Sequence, residues 1–429
     1  MPILRRQGVL QGSKMRLPRL PFLIAGVCLY ALSASVLASS ADPGAATNSN
    51  DVITLQEAID KALTRNPMLS AARNEARAAD GLITQAGVMP NPSLDVNVED
   101  QRRATRTTTT MLNVPIELGG KRGARQQAAR LAGDISQLDL EATRSSLRAS
   151  VSAAFFEVAI AQENVRVARE TRDIAQGALR VATARVESGK AVPLEKTRAE
   201  VELSNSGLAE QAALNTLANA RRALALTWGE SQPDFEGVAA SLESLPPRPS
   251  LDELKASLDK SPLLASGRTA LELSRAELEV EKSKRYPDIT VSVGVARDNE
   301  MGRNRGQLGI SIPLPLFDRN QGNVYAASMR SYKAQDVYRD LEARLNSSLI
   351  QAASKYDLAA SSAQQYRNAV LPGAQRAYEA ARKGFAAGKM SYLEVLDAQR
   401  ALTQGNISYL TALSEAFLAR AEIDRLIGY

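Results

Sequence analysis

The sequence predicts a mixed α and transmembrane-β chain, with long antiparallel coiled-coil helices continuing into a β-barrel shared between subunits. Three observations carry this. Leu147, Val151, Ala154, Val158, Ala161, Val165 and Ala168 recur at 4-3 spacing, the seam of a coiled coil. Pairs of short segments alternate apolar and polar residues at period two, at the length a strand needs to cross an outer membrane. Both patterns occur twice. A second seam, Leu345, Leu349, Ala352, Tyr356, Ala359, Ala363 and Tyr366, lies 198 residues after the first at every position. Pro115 and Pro313 differ by the same 198, and Gly189 and Gly388 by 199, which marks an internal duplication.

In chain order, residues 1–41 read as a secretory signal. Arg16 and Arg19 precede an apolar run from Phe22 to Leu37, and small residues allow cleavage after Ala38 or Ala41. Met15 gives a start of more usual length. Residues 42–52 are small and polar. The first repeat covers 42–229. Thr54 and Glu57 form a capping box that opens a helix running to about Val88, with Pro67 near its start. Over 92–116, Leu94, Val96 and Val98, then Leu112, Val114 and Ile116, alternate with polar residues as a β-hairpin turned at 100–108. Leu118-Gly-Gly-Lys-Arg122 lacks phosphate-loop spacing and reads as a bend from strand into helix. A helix from Lys121 to Glu187 is about 100 Å long at 1.5 Å per residue. It turns at Gly189 and returns from Pro193 to Trp228, a residue assigned to packing. Residues 230–250, rich in proline, form a linker. The second repeat, 251–429, has a helix Leu251–Arg285, a hairpin over 288–314 turned at 297–306, and a second long helix that Pro372 interrupts. The tip at Gly388 leads into a return helix, for which Ser391 and Glu394 form a capping box.

Composition narrows the function. The chain has 429 residues, one cysteine and no histidine. Cys28 falls in the signal, so the exported chain has no disulfide and no imidazole or thiolate metal ligand. Five of the six net positive charges come from the first 41 residues, which hold five basic residues and no acid; beyond them 48 basic residues face 47 acidic ones. This near-balance argues against nucleic-acid binding. No catalytic constellation, tightly bound metal or cofactor is expected. Four amphipathic strands cannot close a barrel alone, and an open edge is forbidden in lipid, so the strands point to a barrel completed by other subunits. A soluble periplasmic coiled-coil scaffold is the alternative in a different class.

The residues also resemble the TolC-type outer-membrane efflux family over essentially the whole exported chain. The resemblance lies in Leu55-Gln-Glu-Ala58 with Asn66-Pro67, Met89-Pro-Asn-Pro92, Pro115–Arg122, Tyr286-Pro-Asp288, Pro313–Gly322 and Tyr392-Leu-Glu-Val-Leu-Asp-Ala398. Leu118-Gly-Gly-Lys-Arg122 is most similar to the CzcC-like branch, which serves heavy-metal pumps of the resistance-nodulation-division class. The resemblance implies a homotrimer with a twelve-stranded outer-membrane barrel, four strands per subunit, above an α-helical periplasmic tunnel. It implies a passive exit duct for divalent metal cations, with a drug-efflux or type I secretion duct as the alternative. It also implies docking of a periplasmic adaptor protein, which joins the duct to the inner-membrane pump, at Ser188-Gly189-Lys190 and Ala387-Gly388-Lys389.

The gate residues come from the same resemblance. The family carries two carboxylates just after the second tip, and the matching positions are Glu394 and Asp397. Three residues apart, they share a helix face. Threefold symmetry would make a ring of six carboxylates and a cation-selective constriction. Spacing alone favours an ordinary solvated helix face, and it is the resemblance that points to the gate. Glu195, followed by Lys196, holds the corresponding place in the first repeat. Met390 stands where the family has an arginine in its closed-state lock, so the lock here is expected to differ.

Overall fold

The computed structural model describes residues 52–242 and 245–429. The signal segment 1–41 and the polar residues up to 51 lie outside the described residues. The described chain is mostly helical. Its first half runs β1 (Val52–Ile53), α1 (Leu55–Arg65), α2 (Pro67–Ala86), β2 (Ser93–Glu99), β3 (Thr107–Ile116), α3 (Lys121–Glu187), α4 (Pro193–Leu226) and β4 (Gly237–Val238). The second runs α5 (Leu251–Leu258), α6 (Pro262–Ser283), β5 (Ile289–Asp298), β6 (Arg303–Ser311), α7 (Gln321–Gln365), a π-helical turn (Tyr366–Val370), α8 (Leu371–Ala386) and α9 (Tyr392–Ile427).

Three expectations need correction. The first helix of each repeat is two helices. Asn66 breaks the first at φ −63, ψ 123, and its side chain accepts from the Leu69 amide at 2.8 Å to cap α2. Ser261 breaks the second at φ −65, ψ 146, and caps α6 through the Leu264 amide. A proline's ring drives the residue before it out of the helical region, so Asn66-Pro67 and Ser261-Pro262 end a helix and start the next. The strands of the second hairpin also reach further toward its tip, and its turn is tighter than expected. β6 starts at Arg303, so only residues 299–302 connect the strands, and Ile312 and Leu314 fall beyond the strand end. Pro313 and Pro315 supply no ladder donor there. Polar residues enter the strand early because Asp298 engages them. Its carboxylate accepts from the Glu300 and Met301 amides, each at 3.0 Å, and pairs with Arg305 at 2.9 Å. Third, the interruption at Pro372 is a π turn immediately upstream, where wider i→i+5 bonding accommodates a helix that must resume at a residue without an amide hydrogen.

The hairpin strands form one antiparallel sheet in the order β2-β3-β5-β6, and β1 pairs separately with β4 in parallel. Its register aligns Leu94, Leu112, Val293 and Leu308 in one row, with Val114, Val291 and Ile310 in the next. This face is open: Leu94 is 67% and Leu308 76% exposed. On the other face Asn113 donates to Asp95 at 2.6 Å and accepts from Ser292 at 2.6 Å. Among the described residues no helix is long and apolar enough to cross a membrane.

Each half has its own core. Val151, Val158, Ala161 and Val165 of the first seam meet Leu217, Leu224, Trp228, Phe235 and Val238. Leu349, Ala352, Tyr356 and Ala359 of the second meet Leu254, Leu258, Ala416 and Ile423. The halves join through Ile160, Val167, Ala363, Leu410 and Leu413, with Phe156 stacked on Phe417 at 3.8 Å between ring centres. The linker contacts both halves. Val238 donates to Gln162 of α3 at 2.8 Å, and Arg248 pairs with Asp357 of α7 at 2.7 Å. The helix breaks meet the ends of the return helices. Asn66 donates to the Thr227 carbonyl at 2.7 Å, and Gly229 and Gly428, both at positive φ, sit against Pro67 and Pro262. A Cβ at Gly428 would fall 2.4 Å from Pro262.

Candidate functional site

The two helical tips are built alike. α3 stops at Ser188, Gly189 takes φ 72, and the Lys190 amide reaches back to the Arg185 carbonyl at 2.8 Å. α8 stops at Ala387, Gly388 takes φ 73, and the Lys389 amide reaches back to the Gly384 carbonyl at 2.8 Å. The left-handed residue lets the last carbonyls find partners, and glycine adopts it without a Cβ clash. All six predicted tip residues, Ser188, Gly189, Lys190, Ala387, Gly388 and Lys389, are exposed.

The tips lie together. Ala182 and Ala199 of the first hairpin and Tyr378, Ala381, Phe385, Tyr392, Val395 and Leu396 of the second make one buried cluster. With Tyr392, Val395, Leu396 and Gln399 turned inward, Glu394 and Asp397 stand on the exposed face of α9. Glu394 also closes the capping box, accepting from the Ser391 amide at 2.6 Å and its hydroxyl at 3.0 Å. These hydrogen bonds, the backbone one foremost, hold its carboxyl below the usual carboxylate range.

Glu195 is placed differently. Its carboxylate turns toward Arg185 at 4.0 Å, and both side chains are only 22% exposed. Arg185 spans the two hairpins. Its Nη1 donates to the Phe385 carbonyl at 3.0 Å, and its guanidinium lies 4.8 Å from the Phe385 ring centre. Sequence reasoning missed Arg185, although the duplication carried a signal. Its counterpart 199 residues on is Gly384, so one repeat puts a cation where the other has no side chain. Arg400 and Glu202, 3.4 Å apart, make a second cross-link between α9 and α4.

The packing around these links is not fully satisfied. Among the described residues, seven buried side-chain polar atoms lack a hydrogen-bond partner, and four are here: Arg185 Nε, Glu195 Oε2, Tyr392 Oη and Gln399 Nε2. Burial foremost pushes the Tyr392 hydroxyl up, with Glu202 adding to it. Each such atom costs free energy, so this end is less stable than its apolar contacts alone would make it. A cleft of about 1180 Å³ opens beside the tips between α3, α8 and α9, with Arg166, Asp173, Arg382 and Lys383 on its walls. No group of three or more metal-ligating side chains occurs among the described residues.

The family model for outer membrane efflux proteins matches residues 58–230 and 254–429. The chain is 42% identical over 413 residues to the cobalt-zinc-cadmium resistance protein CzcC of Cupriavidus metallidurans, covering 95% of this chain and 99% of that one. It is 28% identical over 296 residues to the nickel-cobalt-cadmium resistance protein NccC of Alcaligenes xylosoxydans xylosoxydans, covering 66% and 64%. In fold it is similar to the outer membrane protein VceC of Vibrio cholerae, with a TM-score of 0.75 at 19% identity over 87% of this chain and 96% of that one.

Proposed function

Because the chain belongs to the outer membrane efflux protein family, we propose that it is the outer-membrane exit duct of a tripartite pump that expels divalent heavy-metal cations. The observation that carries the cargo is the 42% identity, over nearly the full length of both chains, to a cobalt-zinc-cadmium resistance protein. The duct itself is passive.

Three copies complete the barrel. The sheet ends in two free edges, β2 and β6, and its open apolar face suits lipid. An unpaired edge in lipid costs several kcal/mol per backbone group, so β2 of one copy pairs with β6 of the next, giving twelve strands from a homotrimer. The polar face then lines the lumen and the helices continue it through the periplasm. The six exposed tip residues and the adjoining cleft receive the periplasmic adaptor, which connects the duct to an inner-membrane pump of the resistance-nodulation-division class.

Glu394 and Asp397, exposed on one face at the start of α9, form the cation-binding constriction. In planar bilayers, Glu394→Gln with Asp397→Asn is expected to weaken block of single-channel conductance by cobalt or zinc about tenfold or more, as loss of a carboxylate ring from a cation pore should. Unchanged block would remove these residues from the gate. For the cargo, deletion of the gene should sensitise cells to cobalt, zinc or cadmium. Sensitivity to drugs with unchanged metal tolerance would favour the drug-efflux reading.

A further inference from the structure

Both borders of an outer-membrane barrel ordinarily carry aromatic girdles. This sheet carries aromatics at one end only. No Phe, Tyr or Trp occurs from residue 87 to 118 or from 287 to 316, while Tyr286 and Phe317 flank the second hairpin at its helix end, 60% and 91% exposed. The far end is rich in arginine instead. Residues 99–106 and 297–305 hold six arginines and four acids.

Four of these arginines are held or stand on the polar side. Arg106 donates to the Gln101 carbonyl at 3.0 Å, and Arg303 lies opposite Asp298 on the polar face. Arg102 is held by Asp100 at 3.2 Å and Arg305 by Asp298 at 2.9 Å. Arg297 is exposed and follows Ile289, Val291, Val293 and Val295 on the open apolar face, paired in register with Thr108 and Asn304. At about 3.4 Å per residue and a strand tilt near 40°, it stands roughly 30 Å along the barrel axis from Tyr286, about one hydrocarbon thickness. Arg103 is brought to the same rim by the second hairpin. Asn299 donates its side-chain amide to the Arg103 carbonyl at 3.0 Å and its backbone amide to the Arg106 carbonyl at 3.1 Å. Of the acids, Asp298 and Glu99 share the polar face in register, Asp100 is committed to Arg102 and Thr105, and Glu300 lies at the exposed turn.

We infer that Arg103 and Arg297 clasp the phosphates of an anionic glycolipid of the outer leaflet, and so replace the missing outer aromatic girdle. A guanidinium offers paired donors to phosphate, and Arg297 leaves the apolar band where headgroup phosphates lie. In the trimer this gives three equivalent sites around the barrel. The inference rests on the barrel reading above, which places the hairpin turns outward.

The test reconstitutes the full chain in phosphatidylcholine vesicles containing either bis-phosphorylated lipid A or its dephosphorylated form, and measures co-purified lipid A and channel conductance. Wild type should retain the phosphorylated lipid and not the dephosphorylated one. A basic side chain at an anionic surface contributes roughly fivefold in affinity, so Arg103→Gln with Arg297→Gln should weaken retention about thirtyfold at unchanged conductance. Arg297→Lys alone should keep most of it. Equal retention of both lipids, or by wild type and the double variant, overturns the inference while intact conductance leaves the duct reading standing. Failure of wild type to insert or conduct overturns the duct reading first, and the inference with it.

Discussion

Arg185 ties the two helical tips together, which no residue the motifs pointed to does. Its guanidinium bonds the Phe385 carbonyl, covers the Phe385 ring and faces Glu195, so it joins the end of α3 to the end of α8. Arg185→Met keeps the aliphatic stem and removes the donors. A hydrogen bond to a charged donor contributes about 1.5–3 kcal/mol, and the partly exposed Glu195 pair adds about 1 kcal/mol or less. The variant's tips should therefore separate more readily. Single-channel recordings should show longer or larger open events, and the Lys190 and Lys389 amides should exchange faster with deuterium. Wild-type conductance with wild-type exchange would make Arg185 a packing residue. That Glu394 and Asp397 share an exposed face of α9 was legible because the Ser391 capping signal fixes the start of the helix and its period then fixes the face; their assignment to a gate came from the family resemblance. Arg185 was not legible, because a single arginine in the last turn of a helix is ordinarily a favourable partner for the helix dipole.

Among the elements, local chemistry and the bounds of the long helix Lys121–Glu187 could be read, while the breaks in the short helices and the ends of the second hairpin could not. The capping boxes at Thr54 and Ser391 both form, and both long seams are buried, because caps depend on neighbours in sequence and seams on a long repeat. The breaks at Asn66 and Ser261 went unread because proline is tolerated in a helix's first turn, and an apolar period runs through Pro67 and Pro262 undisturbed. Asn66 does two jobs. It caps α2 and donates to the Thr227 carbonyl at the end of α4. Asn66→Ala should cost about 2 kcal/mol, near 1 for the cap and near 1 for the second bond. Thr54→Ala, whose hydrogen bonds stay within its own capping box, should cost about 1 kcal/mol. Urea unfolding of the detergent-solubilised protein separates them, and equal losses would mean that the contact to α4 contributes nothing. The start of β6 was misplaced for a related reason. Arg303-Asn-Arg305 lacks apolar alternation, and its strand state depends on pairing with β5 and on Asp298.

At the scale of the whole molecule, the repeated order of elements was legible because two copies of a pattern reinforce each other across 198 residues. The joining of the halves was not, since the Phe156–Phe417 stack and the β3–β5 pairing have no local sequence signal. The linker that contacts both halves has a further consequence, for biogenesis. Every buried residue of the first core lies between Ile53 and Val238, and Ile53 accepts from the Ala239 amide at 2.9 Å. Lys61 pairs with Asp234 and Arg65 with Glu230, each at 2.9 Å. A chain threading into the periplasm N-terminus first can thus seal this core once residue 242 has emerged, with the second half still in transit. Its apolar surface is hidden before the sheet, which needs β5, can form. Vectorial export then supplies an order of maturation that refolding from denaturant lacks, and the first half acts as the template on which α9 settles. Pulse-labelled hydrogen exchange during translocation should protect the Val238 and Ala239 amides before those along the β3–β5 seam. Simultaneous protection would mean that the halves fold only together.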